Sequence, residues 1–333
     1  MVHRVCLFCA QWLIGLLLGS MNKIPELSVV VPVYNDEEIL EMVFPRLEQA
    51  LTGIDYELVF VNDGSHDRTG SILEGYCRRN PRARLIELSR NFGQYYAISA
   101  GLSRARGQAV VSIDVDLQDP PELIPEMLKK WKDGYQVVVG ARKSRPEKGL
   151  KKLGLKVFNK LFIWLCDFPI PVRGGFALMD RKVVEELKSL PERHRYLPGL
   201  RNWVGFKQTE IWYNREERIG GTSKWTFSKL VLYALDAIFS FSHKPLQFTW
   251  IAGIIISFFC FLYGIILVIL RILGIGVVPG FTTVAVSLFF LGGIQLIAIG
   301  ILGEYLARVY DEVKQRPIYI IQREYPPPGP EQE

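Results

Sequence analysis

The sequence predicts an α/β domain built on a mostly parallel sheet, followed by two membrane-spanning helices. Three observations carry that prediction. Short β-branched runs alternate with amphipathic stretches of helical length from Leu27 to Ala141, the order of a sheet covered by helices. Carboxylates gather where several of those runs end. No residue from Leu246 to Leu270, or from Ile272 to Gly303, carries a charge.

Taken in order, the chain begins with an apolar run, Val5–Gly19, behind Arg4. Residues 1–24 fit the core of a signal peptide, a stretch lying along a membrane, or a leader upstream of a start at Met21. Strands are expected at Leu27–Val33, Tyr56–Asn62, Arg84–Leu88, Gln108–Asp114 and Tyr135–Ala141. Helices are expected at Glu37–Leu51, Asp67–Arg79, Phe92–Arg106 and Pro120–Lys132, the last opening on Pro120, Pro121 and Glu122, which suit a helix start. The unbroken Val29–Val31 run predicts a strand buried on both faces.

Ligands of such sheets bind beyond the carboxyl ends of the strands. There the sequence places Pro32, Tyr34, Asn35 and Glu37 after the first strand, and Asn62, Asp63 and Gly64 after the second. Asp114, Asp116 and Gln118 follow the fourth. A dinucleotide site would need a glycine-rich turn after the first strand, and none is present. An acidic cleft that holds a diphosphate needs a divalent cation between the two, and oxygen ligands select Mg2+ or Mn2+. Asp114 and Asp116 stand two apart, so on an extended chain both would face one side.

Each charge-free run, as a helix rising ~1.5 Å per residue, exceeds the ~30 Å hydrocarbon core of a bilayer. His243 and Lys244 precede the pair, while Arg308, Lys314, Arg316 and Arg323 follow it. The positive-inside bias puts both outer ends in the cytoplasm. Trp250 and Tyr305 fall where interfacial aromatics sit. The expected division is 25–225 for the α/β domain, 226–245 for an interfacial amphipathic helix, 246–305 for the two spans and 306–333 for a cytoplasmic tail.

The net charge of +6 suits an anionic membrane surface or a phosphate-bearing substrate. Nucleic acid is disfavoured, because the basic residues sit beside apolar segments. The 5 cysteines are scattered and show neither a zinc pattern nor a disulfide framework. From Arg142 to Lys160 there are eight basic residues against one acid, Glu147. Lys152, Lys156 and Lys160 make one stripe at helical spacing, with Leu153, Val157, Leu161 and Trp164 beside them. A juxtamembrane helix near 151–166 is expected, and Lys229–Phe241 reads similarly.

Three segments, VVPVYNDE (Val30–Glu37), VNDGSHDRT (Val61–Thr69) and DVDLQDPPE (Asp114–Glu122), resemble the family 2 glycosyltransferases with a GT-A fold. The resemblance runs from about Leu27 to Lys224 and is strongest to the polyisoprenyl-phosphate branch, which includes dolichol-phosphate mannosyltransferases and bactoprenol glucosyltransferases. It implies that Pro32, Tyr34, Glu37 and Asp63 line the base and ribose pocket, and that Asp114 contacts the nucleotide. Asp116 and Gln118 would hold the metal, and Arg142 would meet phosphate. Lys151 and Lys152 stand near a second basic position of the family, as lysines without the bidentate fork of arginine. Arg218, Ser223 and Lys224 match a loop motif R-x-x-G-x-S-K that closes over phosphates, while Asp167 and Arg173 stand near the family's acceptor-side carboxylate.

The resemblance further implies inverting transfer of one sugar from a nucleotide-sugar to a polyisoprenyl phosphate at the cytoplasmic face of the inner (plasma) membrane. UDP-glucose is the expected donor, with GDP-mannose or an aminopentose donor as alternatives. A homo-oligomer is compatible with two thin spans per chain. A processive polysaccharide synthase would carry a Q-x-x-R-W motif, from which Leu200–Arg201–Asn202–Trp203 departs, and more spans. A non-catalytic membrane scaffold would not need clustered carboxylates, whose like charges oppose ionisation.

Overall fold

The structure is a computed structural model that describes residues 24–142, 175–193, 195–214, 239, 242–273 and 280–326. The juxtamembrane helix near 151–166 and the amphipathic segment 226–238 lie outside the described residues, as does the N-terminal apolar segment. Among the described residues, eight strands form one sheet in the order β7-β5-β6-β4-β1-β2-β3-β8. They are β1 (Leu27–Val33), β2 (Tyr56–Asn62), β3 (Ala83–Leu88), β4 (Ala109–Ser112), β5 (Val137–Arg142), β6 (Ala177–Asp180), β7 (Gln208–Tyr213) and β8 (Ile321–Tyr325). β1 pairs in parallel with both β2 and β4, and β2 with β3. β6 runs antiparallel between β4 and β5, while β5 and β7 are parallel.

The helices α1 (Leu40–Ala50), α2 (Thr69–Arg79), α3 (Gln94–Arg104), α4 (Ile124–Lys132), α5 (Arg181–Ser189) and α6 (Leu197–Trp203) belong to the sheet domain. Every residue of β1 and β2 is buried. Alternation sends Val29, Val31 and Val33 into one apolar cluster and Val30 into a second, as a strand covered on both sides requires. β1 and β2 have the expected bounds. β4 is shorter than expected and stops at Ser112, so the Asp114 to Gln118 segment leaves the sheet and turns.

Two long helices follow, α7 (Lys244–Ile272) and α8 (Phe281–Lys314). Both contain stretches long and apolar enough to cross a membrane, with mean hydropathy 2.8 and 2.2. At 34 residues, α8 spans ~50 Å, well beyond a ~30 Å hydrocarbon core. Its last turns carry Glu304, Arg308, Asp311, Glu312 and Lys314. There Glu312 accepts from the backbone N–H of Arg193 at 2.8 Å, and the Tyr305 hydroxyl donates to the Ser242 carbonyl at 2.7 Å.

The segment expected to be a tail does something else. After α8 the chain returns to the sheet and adds β8 antiparallel to β3, with Ile321 opposite Leu88 and Tyr325 opposite Leu85. The Ser89 N–H donates to the Ile320 carbonyl at 3.0 Å. Glu324 lies by Arg104 at 2.8 Å and Arg84 at 3.8 Å, and Arg84 also faces Glu57 at 3.7 Å. Arg323 pairs with Glu74 at 2.7 Å and also with Glu87. Alternation of charge with Ile321 and Tyr325 gave no periodicity that a single short strand could reveal.

Candidate active site

The carboxyl ends of β1 and β2 are joined by the Asp63 N–H, which donates to the Val33 carbonyl at 2.9 Å. Beyond them, two polar loops lace together. Asn35 donates from its N–H to the Ser65 hydroxyl at 2.9 Å and accepts from the His66 N–H at 2.9 Å. Its φ of 50° is a left-handed conformation that asparagine tolerates. The Asp36 N–H donates to Thr69 at 3.1 Å, and Glu37 accepts from the Arg68 N–H at 2.8 Å. Tyr34 is half-buried at the rim, and Pro32 is enclosed within β1. Of the residues expected to line the base pocket, Tyr34 and Glu37 therefore stand at the partly open ends of the strands, whereas Pro32 lies buried within the sheet.

Asp63 is 3 % exposed, and both its oxygens are occupied. It accepts from the Phe92 N–H at 2.8 Å and the Gly93 N–H at 2.9 Å. Burial raises its pKa, with these two bonds and Arg90 acting in the other direction. Asp63 thus ties the Ser89–Gly93 loop onto the turn after β2. The same closure explains Gly64, whose φ is +66° and where a Cβ would stand 2.4 Å from the Arg90 carbonyl carbon. The loop was not singled out in the sequence; the pairing joins residues about thirty positions apart, which no local pattern encodes.

The acidic turn lies alongside. The Ile113 N–H still donates to the Val30 carbonyl at 3.0 Å, and then the chain bends. Asp114 and Asp116 were expected to face one side of an extended chain; instead they occupy a turn in which buried Leu117 adopts φ 55°, a costly conformation for leucine. The Gln118 N–H donates to Asp116 at 3.2 Å, so the two expected metal ligands share one bend. Gln94, the first residue of α3, donates from Nε2 to Asp114 at 2.6 Å. Burial, reinforced by the charges of Asp119 and Asp116, pushes the Asp114 carboxyl up to about 7, against the pull of Arg142 and Gln94.

Asp119 is 0 % exposed. Arg142, at the end of β5, donates to it bidentately, Nε to Oδ1 at 3.0 Å and Nη2 to Oδ2 at 2.9 Å. Tyr213, the cross-strand neighbour of Arg142 on β7, donates its hydroxyl to the same carboxylate. Burial alone would lower the Arg142 pKa, but the bond and charge of Asp119 more than offset it and the guanidinium stays charged. The Tyr213 phenol is pushed up by burial and by Asp119. Asp119 and Tyr213 were missed at the sequence level. Asp119 had a signal, since it lies in the same DVDLQDPPE segment as Asp114 and Asp116; Tyr213 had none.

A carboxylate whose ionisation is resisted by two neighbouring carboxylates suits a divalent cation. Among the described residues no three His, Cys, Asp or Glu side chains gather in a ligating arrangement. The expected ligands, one carboxylate (Asp116) and one amide (Gln118), would leave phosphate and water to complete the shell of an ion held there. Lys151, Lys152, Asp167, Arg173, Arg218, Ser223 and Lys224 lie outside the described residues. Arg201, from the segment that departs from Q-x-x-R-W, is buried beside Tyr95 and Tyr196, and burial lowers its pKa to about 10.

Comparison with known proteins gives a consistent picture. The family profile described as glycosyl transferase family 2 matches residues 28–188. An uncharacterized glycosyltransferase of Synechocystis sp. is 48% identical over 301 residues, 89% of this chain and 94% of that protein. The bactoprenol glucosyl transferase of Shigella phage SfII is 41% identical over 304 residues, 90% of this chain and 98% of that protein. A solved mannosyltransferase of Pyrobaculum calidifontis, in complex with GDP-Man and Mn2+, aligns with 86% of this chain and 88% of its own at 16% identity and TM-score 0.43.

Proposed function

The chain belongs to glycosyl transferase family 2 and is a glycosyltransferase, and from that premise we propose that it moves a single glucosyl group from UDP-glucose to a polyisoprenyl phosphate. The observation that carries the proposal is the meeting of the Asp114–Asp119 turn with Arg142, in a chain that ends in two apolar helices. Relatives named for glucosyl transfer to bactoprenol that match nearly end to end support the choice of acceptor and sugar. The two helices then span the inner membrane, with the catalytic domain on the cytoplasmic side, where nucleotide-sugars are made.

In this reading Tyr34 and Glu37 contact the base and ribose, and Asp114, oriented by Gln94, contacts the nucleotide. Asp116 and Gln118 would hold a Mg2+ or Mn2+, and that charge would offset the charge of the diphosphate. Arg142 adds a fixed positive charge where the leaving group develops negative charge. A lipid phosphate, with a second pKa of about 6, is already ionised at neutral pH, so the acceptor oxygen needs orientation more than deprotonation. Asp167 supplies that orientation, and the basic stretch around Lys151 and Lys152, with Arg173, Arg218, Ser223 and Lys224, receives phosphate.

The test uses membranes containing the full chain, radiolabelled UDP-glucose and undecaprenyl phosphate. A solvent-extractable product bearing one glucose is expected, and Asp116→Ala should lower its rate by about two orders of magnitude or more. A donor panel including GDP-mannose and a UDP-aminopentose reads the sugar. Insoluble polymer, or full activity of Asp116→Ala in chelator, would sink the proposal.

A further inference from the structure

The Asp119, Arg142 and Tyr213 cluster has a feature that an ordinary ion pair lacks. Asp119 is completely enclosed, yet its partner is not: a third of the Arg142 side chain remains exposed. Two of the five guanidinium N–H groups are spent on Asp119, the Nε one shared with the Tyr213 hydroxyl at 3.2 Å, which leaves three uncommitted to that carboxylate. The pair stands at the acidic turn, because Asp119 closes the segment that carries Asp114 and Asp116, and Arg142 is the last residue of β5. The other flank is closed by aromatic packing. At Gly140 a Cβ would lie 2.6 Å from the Phe176 ring and 3.2 Å from the Tyr213 ring, and those rings meet edge to face at 6.2 Å between centroids. The missing side chain at Gly140, two residues before Arg142 on the same face of β5, is what lets Tyr213 lie close to the strand and bring its hydroxyl to Asp119.

We infer that Asp119 and Tyr213 are positioning residues, which hold the Arg142 guanidinium in one plane so that its remaining N–H groups meet the donor diphosphate. The inference rests on the nucleotide-sugar reading above and adds a role that touches no substrate. An unrestrained arginine loses rotamer freedom when it is fixed on a ligand. Fixing it beforehand removes that loss from the binding step and from the transition state. The enclosed carboxylate is tolerable because Arg142 and Tyr213 satisfy it.

A double-mutant cycle on the full chain in detergent tests this, reading kcat and KM for transfer and the affinities for UDP and uridine. Tyr213→Phe keeps the ring and should lower kcat/KM about 3- to 10-fold, and Asp119→Asn about 10- to 100-fold. Both should weaken UDP and leave uridine within about twofold, because only the diphosphate meets Arg142. In an Arg142→Ala background neither substitution should cost more than about a further twofold, since residues that act through one group are not additive. Additive losses in that background, equal weakening of uridine and UDP, or native kinetics for both single variants would each overturn the inference. Should Asp119→Asn fail to fold, Tyr213→Phe alone decides by the same criteria. A native chain that binds UDP but transfers no sugar would defeat the proposed function, while the UDP and uridine affinities would still decide the role of Asp119.

Discussion

At Gly64 the chain has no room for even a methyl group. Its left-handed backbone and the Arg90 carbonyl carbon 2.4 Å from an ideal Cβ act together, so Gly64→Ala should destabilise the domain by about 2–4 kcal/mol. Denaturant unfolding would measure the loss, and UDP affinity should fall with it, because the Ser89–Gly93 loop is pushed off Asp63. Unchanged stability would show that the loop moves freely. Individual carboxylates were legible in the sequence because they follow β-branched runs: Asp63, Asp114 and Asp116 all lie where the sheet ends. Their partners were not legible. Asp63 closes on backbone N–H groups of residues 92 and 93, and Asp119 meets a tyrosine on β7. Such contacts depend on strand order and register, which a single sequence leaves open.

Among the elements, β1 and β2 could be read directly because both faces are buried and the apolar run is unbroken. β4 was over-extended, since Ile113 and Val115 are buried and apolar like strand residues, yet belong to the turn that carries the aspartates. β8 was not foreseen at all. Its stability contribution is testable at Glu324, which is 7% exposed and faces Arg104 at 2.8 Å and the enclosed Arg84 at 3.8 Å. Burial lowers the Arg84 pKa and Glu57 and Glu324 oppose that, so removing one acid leaves a poorly compensated charge. Breaking a buried pair costs about 3–5 kcal/mol. Because Glu57 remains, Glu324→Ala should cost less, about 1–3 kcal/mol, read from the unfolding midpoint. A midpoint equal to the native one would mean that β8 is not held in the sheet in solution.

For the whole molecule, β8 bears on the membrane arrangement proposed above, because it ties the exit of α8 to the sheet domain. It enters the sheet opposite Leu88, the end of β3 nearest Asp63, and only the residues between Lys314 and Ile321 separate it from α8. Six residues reach at most about 20 Å, so the exit of α8 and the acidic cleft share one end of the domain. In the proposed arrangement two crossings would return the chain to its starting side, and the Gly280 end of α8 would face the opposite compartment. In a chain with its native cysteines replaced, Gly280→Cys should react in intact cells with a membrane-impermeant maleimide, whereas Thr52→Cys should react only after permeabilisation. Equal labelling of both in intact cells would refute this arrangement. The two spans themselves were legible from charge-free length alone, whereas the return of the chain to the sheet was hidden behind them.

Because the strand that borders β3 is encoded downstream of both apolar helices, a ribosome delivers it last. The nascent domain must wait, with one row of backbone donors and acceptors open, until the membrane segments have been synthesised. During that interval the bare border can pair with a neighbouring nascent chain, so completion of the sheet is timed by synthesis of the two apolar helices.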